Sequence, residues 1–184
     1  MAVPAFAADN VPAQMDAARA AYQKNDLPRT ARALEAALAD IHDRLGRSFA
    51  ETMPPLATGW QADPPEFQGL GQVGGGLSVS RAYAKGETSL NATLFLDSPA
   101  VEAAAALLAN PAATAAQPNM KRIKVGGEDA LLRFDASTKS GEITLVLNNR
   151  VLLEIEGENL ANADILVETA KGWNVVKIRT LAGL

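Results

Sequence analysis

Cysteine is absent from this sequence of 184 residues. Its absence excludes disulfide cross-links and thiolate chemistry, whether nucleophilic or metal-binding. Histidine occurs once, as His42, whereas a zinc site needs three or four Cys, His or carboxylate ligands close together. The sequence therefore predicts no metal site and no cofactor.

Long apolar runs and clusters of positive charge are also absent. No run approaches the roughly 18 residues that a membrane-spanning helix needs, so we predict no transmembrane segment. The chain has 17 Lys and Arg against 21 Asp and Glu, a formal net charge of −4. The densest basic stretch, Lys121–Lys124, alternates like a strand that ends in solvent. We therefore predict that the protein does not bind nucleic acid.

The N-terminus has the pattern of a signal-peptidase site. Ala5 and Ala7 stand at the two small-residue positions of an A-x-A sequence, and Ala8 would begin the mature protein. A complete signal peptide would have a basic segment and an apolar run before this site. Both are missing here, so we interpret residues 1–8 as the remnant of a signal peptide. An alanine-rich terminus without a targeting role is the alternative. The pattern predicts Sec-type export to a bacterial periplasm through Ala5-Phe6-Ala7.

Residues 9–52 are predicted to form a helical hairpin. In the first helix, apolar residues recur from Val11 to Tyr22 at steps of four and three. Pro28 suits the first turn of the second helix, where a missing N–H costs nothing. That helix carries a narrow apolar seam typical of a coiled coil, at Leu27, Ala31, Leu34, Leu38, Ile41 and Leu45. We predict that Leu34, Leu38, Ile41 and Leu45 bind a partner protein or a second copy of this chain.

Residues 53–76 are predicted to be a connector without regular structure. Two Pro-Pro pairs and, between Gly69 and Gly76, five glycines fall within it, which favours loop conformations. Gly69, Gly71 and Gly74 spell the G-x-G-x-x-G fingerprint of dinucleotide-binding folds. That motif requires a preceding strand and a following helix, and here a Pro-rich loop precedes it and a strand follows. We therefore predict a flexible loop.

Residues 77–184 are predicted to form a sheet domain. Apolar residues alternate along runs that begin near Leu77, Leu90, Ile123, Ala130, Ile143 and Val151. A helix is predicted over 99–110 and another from about Leu160, with Val175–Ile178 as a possible terminal strand instead. The fold class is therefore α+β: an N-terminal helical hairpin, then an antiparallel sheet of about five to six strands packed with two further helices.

Candidate ligand-binding residues lie on both faces of the predicted sheet. Arg81 alternates in register with the core positions, next to Tyr83, where it would either bind an anionic group or extend to water. Arg133 and Glu154 fall on the opposite face. Glu154, Glu156 and Glu158 could serve Ca²⁺ or acid–base chemistry, or simply form a solvated acidic face. That face also carries four apolar residues that something must cover: the hairpin, a second subunit, a ligand or the chain's own helices. They are Phe95, Leu131, Val146 and Leu152.

No arrangement of nucleophile, base and metal ligand is recognisable, so we predict no catalytic residues. The sequence predicts a non-enzymatic, exported binding or protein-interaction module whose hairpin docks its partner. The alternative is a carrier of a small apolar or anionic ligand, bound between sheet and helices near Arg81 and Tyr83. An enzyme would have to depend on His42 or Glu154.

Overall fold

A computed structural model describes residues 10–55 and 58–184. The predicted signal-peptide remnant, residues 1–8, lies outside the described residues. The chain divides into two compact units, residues 1–45 and residues 46–184. The division falls inside the second helix rather than at the start of the Pro-rich connector.

The first unit contains the predicted helical hairpin. Helix α1 covers Val11–Gln23 and α2 covers Leu27–Ala50. Asp26 begins α2, since its side chain accepts a hydrogen bond from the Arg29 backbone N–H at 3.1 Å. Among residues 10–45, the buried residues are small, namely Ala18, Ala21 and Ala37. The predicted seam of α2 is therefore not its buried face.

The second unit is built on one antiparallel sheet of eight strands. Strands β1 and β2 both pair with β3 along its outer edge, and the order then runs β3-β4-β8-β7-β6-β5. The strands are β1 Gln61–Ala62, β2 Glu66–Gly69, β3 Leu77–Lys85, β4 Thr88–Leu96, β5 Met120–Val125, β6 Glu128–Asp135, β7 Ser140–Leu147 and β8 Val151–Glu158. Its helices are α3 Pro99–Ala109, α4 Pro111–Ala115, α5 Asp164–Lys171 and α6 Val175–Ala182. The predicted α+β class is confirmed, with more strands than expected.

The connector was predicted without regular structure, and this is wrong for two segments. Strand β2 pairs Phe67 with Val79, and β1 pairs Ala62 with Tyr83. The prolines between β1 and β2 interrupt the pairing, which is why the alternating pattern was too short to detect. The two segments supply hydrogen-bond partners that an uncovered β3 edge would lack. A strand therefore does precede the glycine motif, but the motif itself contains a 3₁₀ turn, Gly71–Val73, and β3 follows it instead of an α-helix.

One face of the sheet carries the core. The central strands place there an almost uninterrupted set of apolar residues that includes Val79, Leu94, Leu153, Ile155 and Leu145, each at most 1% exposed. The missing side chain of Gly141 leaves room for Leu166, which places α5 on this face. Leu166 and the α6 residue Ile178 are both fully buried.

The opposite face is covered in part by the chain's own helix. Helix α3 packs against β4, β6, β7 and β8, the four strands that carry the apolar patch of this face. Leu131 and Leu152 in that patch are each 3% exposed. The hairpin, a second subunit, a ligand and the chain's own helices were the candidates for covering this patch. Helix α3, one of the chain's own helices, is the one observed over it. Because burial removes this apolar surface from water, it stabilises the folded protein.

Local turns and caps follow the expected chemistry. Asn148 and Asn149 both have positive φ, as asparagine tolerates in the tight turn between β7 and β8. The C-terminal alternative of a strand over Val175–Ile178 is wrong. Asn174 caps a helix there, accepting from the Lys177 N–H at 3.1 Å, and this stabilises the first turn despite the β-branched residues.

Within the described part of the chain, no helix combines the length and the apolarity needed to cross a bilayer.

Candidate functional site

A cavity of about 790 Å³ lies on the core face, between the β3–β4 hairpin and α5. The connector closes one side of it. It is lined by Pro55, Trp60, Tyr83, Lys85, Thr88, Leu90, Asn162, Asp164, Ile165, Glu168, Thr169 and Gly172. Its volume lies in the range of known small-molecule sites, and it sits where a sheet and a helix diverge.

Tyr83 contributes its ring to this cavity. Its hydroxyl is buried and donates to the Pro54 carbonyl at 2.8 Å, which ties the connector to β3. Burial raises the pKa of Tyr83, and the nearby Arg81 cation opposes part of that rise. The hydroxyl is therefore a neutral donor with a protein partner.

Arg81 does not line the cavity. Its Nε donates to the Asp63 carbonyl at 2.9 Å, and its guanidinium carbon lies 5.6 Å from the centre of the Tyr83 ring. This is a cation–π arrangement, in which the ring face attracts the charge. Arg81 is thus held by the Asp63 carbonyl and the Tyr83 ring.

The opposite face has an open, polar half, beyond the part covered by α3. Arg133 forms an ion pair with Glu142 at 2.8 Å across β6 and β7. Carboxylate oxygens of Glu142, Glu154 and Glu156 lie within 4.8 Å of one another. Two shallow depressions of about 420 Å³ each meet at Glu156 and Glu158. Three carboxylates this close could attract a cation, but Arg133 already offers a positive charge to one of them.

Within this cluster, Glu154 has a raised pKa. Partial burial raises its pKa, and the neighbouring carboxylates of Glu156 and Glu142 raise it further, whereas Arg133 lowers it. The folded protein therefore holds this proton more tightly than the unfolded chain does. Stability must then fall as pH rises from the ordinary glutamate pKa through the raised one.

Replacing Glu154 by Gln should therefore stabilise the protein at pH 7, by about 0.5–1 kcal/mol, the size of an adverse cross-strand pair. Near pH 4, where the carboxyl is largely protonated, the difference should shrink toward zero, to within about 0.3 kcal/mol. Urea titrations at both pH values measure this. Glu158→Gln, an exposed position on the same strand and face, is the matched control and should change little. Destabilisation by Glu154→Gln at pH 7 would contradict the assignment.

A third surface belongs to the hairpin. Four large apolar residues of the predicted seam are exposed on α2: Leu27 at 56%, Leu34 at 46%, Leu38 at 47% and Ile41 at 38%. We call these four residues the α2 stripe. Met15 and Tyr22 of α1 are also more than 45% exposed. Leu45, the remaining predicted partner-binding residue, is half-buried at the end of the stripe.

The predicted ligand residues do not form one site. Arg133 and Glu154 lie on the open face, as the alternation along their strands predicted. Tyr83 lines the cavity on the other face, and Arg81 lies beside it. Sequence reasoning did not assign Trp60, Lys85 or Ile165 to a site. No local signal joins Trp60 to Ile165, because only the chain's path brings them together.

Comparison with known protein families, curated proteins and solved structures finds no match to this chain.

Proposed function

We propose that this protein is a non-enzymatic, exported binding module, and that its helical hairpin is the element that docks a partner protein. The α2 stripe is the observation that carries this proposal. Among residues 10–45 the buried positions are alanines, while the larger side chains of the α2 stripe remain roughly half exposed. Contiguous exposed apolar surface of this kind is typical of interaction sites.

The energy available from the α2 stripe is large enough for a specific contact. Burying a Leu or Ile side chain completely is worth about 1.5–3 kcal/mol, and roughly half of each stripe side chain is still exposed. The four residues together could therefore contribute roughly 3–6 kcal/mol on docking. In the isolated chain these side chains remain in contact with water. A partner that covered them would therefore gain this free energy of burial.

Export is the second part of the proposal. It is supported by the Ala5-Phe6-Ala7 pattern before Ala8, which is a feature of the sequence. In a periplasm, a hairpin with an uncovered stripe would meet partner proteins directly. The non-enzymatic part depends on the missing catalytic pattern in the sequence.

Site-specific photocrosslinking tests the role of the α2 stripe. A benzophenone amino acid at Leu34 or Leu38 should give one discrete adduct in cells that make the protein. The same group at Val176, which is 78% exposed on α6, is the matched control and should give none. An adduct of twice the chain mass, seen also with purified protein, would identify a second copy as the partner. Absence of an adduct at both stripe positions, or equal crosslinking at Val176, would contradict the proposal.

A further inference from the structure

The cavity between the β3–β4 hairpin and α5 shares no lining residue with the α2 stripe. It lies wholly in the second unit, and its lining comes from the connector, two strands and one helix. Its volume of about 790 Å³ would accept a small molecule rather than a peptide helix.

The walls of the cavity are mainly apolar. Trp60, Tyr83, Leu90 and Ile165 supply rings and aliphatic surface. The hydroxyls on these walls have partners already: Tyr83 donates to Pro54, and Thr169 donates to the Ile165 carbonyl at 2.7 Å. A ligand would therefore meet apolar surface here, with few polar atoms left to satisfy.

The acidic groups at the rim have roles within the protein. Glu168 forms an ion pair with Lys171 at 2.6 Å. Asp164 stands in the first turn of α5, where a carboxylate stabilises the positive end of the helix dipole. Neither carboxylate requires a ligand, and together they disfavour more than one negative charge on any ligand that enters.

Lys85 is the cation at the rim. Among residues 10–55 and 58–184, no ion pair and no side-chain hydrogen bond to Lys85 is formed. Its stem passes close to Gly59, where an added methyl group would lie 3.5 Å from the Lys85 Cε. The ammonium is thus beside the apolar walls and available to an anion.

We propose that this cavity binds a small amphiphile with an apolar body and a single anionic head group. The body packs between Trp60 and Ile165, and the head, a carboxylate or similar monoanion, pairs with Lys85. An apolar body gives affinity by leaving water, and the charged pair at the rim sets the orientation. A fatty acid and an aromatic acid share this chemistry.

Trp60 provides the signal for a binding test. The chain has two tryptophans, and the other, Trp173, is buried and does not line the cavity. In a Trp173→Phe variant, dodecanoate below its micelle concentration should cause a saturable change in Trp60 emission. The Trp60→Phe variant, which keeps Trp173, should show no such change. Titration with 2-naphthoate in parallel distinguishes a fatty-acid site from an aromatic-acid site.

Head-group and charge variants test the chemistry. Dodecanoate should bind at least about tenfold more tightly than dodecanol or dodecylammonium, and Lys85→Gln should remove that advantage. Lys121→Gln, at an exposed lysine on the opposite sheet edge, is the matched control and should leave it unchanged. Both lysine variants should keep the thermal unfolding midpoint of the protein in which they are made.

Three outcomes would overturn the proposal: no saturable signal with either acid, tighter binding of dodecylammonium, or dodecanoate affinity that is unaffected by Lys85→Gln. None of these results bears on crosslinking from Leu34 or Leu38, so failure of this site and failure of the hairpin as a docking element are distinguishable.

Discussion

Replacing Gly76 by Ala should lower the free energy of unfolding by about 2–5 kcal/mol. Gly76 has φ of +95°, and an added Cβ would lie 2.2 Å from the Leu96 carbonyl oxygen and 2.6 Å from that of Asp97. These are backbone atoms at the end of β4, so relief of the clash requires movement of the β3–β4 ladder. Backbone strain of about 1–2 kcal/mol adds to an overpacking cost of about 1–3 kcal/mol.

Gly75→Ala separates the two contributions. Gly75 has a similar φ of +98°, but an added Cβ would meet nothing within 4 Å. It should therefore cost only the backbone strain, about 1–2 kcal/mol. Urea unfolding of both variants, followed by circular dichroism, measures the difference. If Gly75→Ala and Gly76→Ala lowered the free energy of unfolding equally, the Cβ added at position 76 would not clash with the backbone at the end of β4.

Phe49→Ala should cost about 3–5 kcal/mol, in contrast to Leu38→Ala on the same helix. Phe49 lies near the end of α2, in the second unit, and is 0% exposed. Truncating a buried aromatic residue loses its burial energy and leaves a cavity. Leu38 is 47% exposed, so its truncation should cost less than about 1 kcal/mol.

The contrast between these two variants also bears on function. If Leu38 serves docking, Leu38→Ala should weaken crosslinking from Leu34 while leaving the unfolding midpoint nearly unchanged. Thermal unfolding by calorimetry and crosslinking yield, measured on the same samples, check both parts. If Leu38→Ala lowered stability as much as Phe49→Ala, the α2 stripe would contribute to folding rather than to docking.

The sequence predicted which residues lie on the open face, but it did not predict most of the residues that line the cavity. Alternation along β6 and β8 was enough to place Arg133 and Glu154 on the face opposite the core, because side chains in a strand point to opposite sides in turn. The ion pair of Arg133 with Glu142 required the β6–β7 register. The cavity required more, since Trp60, Lys85 and Ile165 come from three separate segments.

The sequence by itself determined the local structure of this protein. The helical spacing of α1 and α2, the alternation of the strands from Leu77 on and the paired asparagines at 148 and 149 each depend on neighbours a few residues apart. Only the tertiary structure decided which apolar faces are covered. The seam of α2 stayed exposed while alanines were buried, α3 covered Leu131 and Leu152, and two short segments of the connector joined the sheet at β3. These outcomes depend on contacts between distant segments, and a periodic pattern shows that a face is apolar without showing what will cover it.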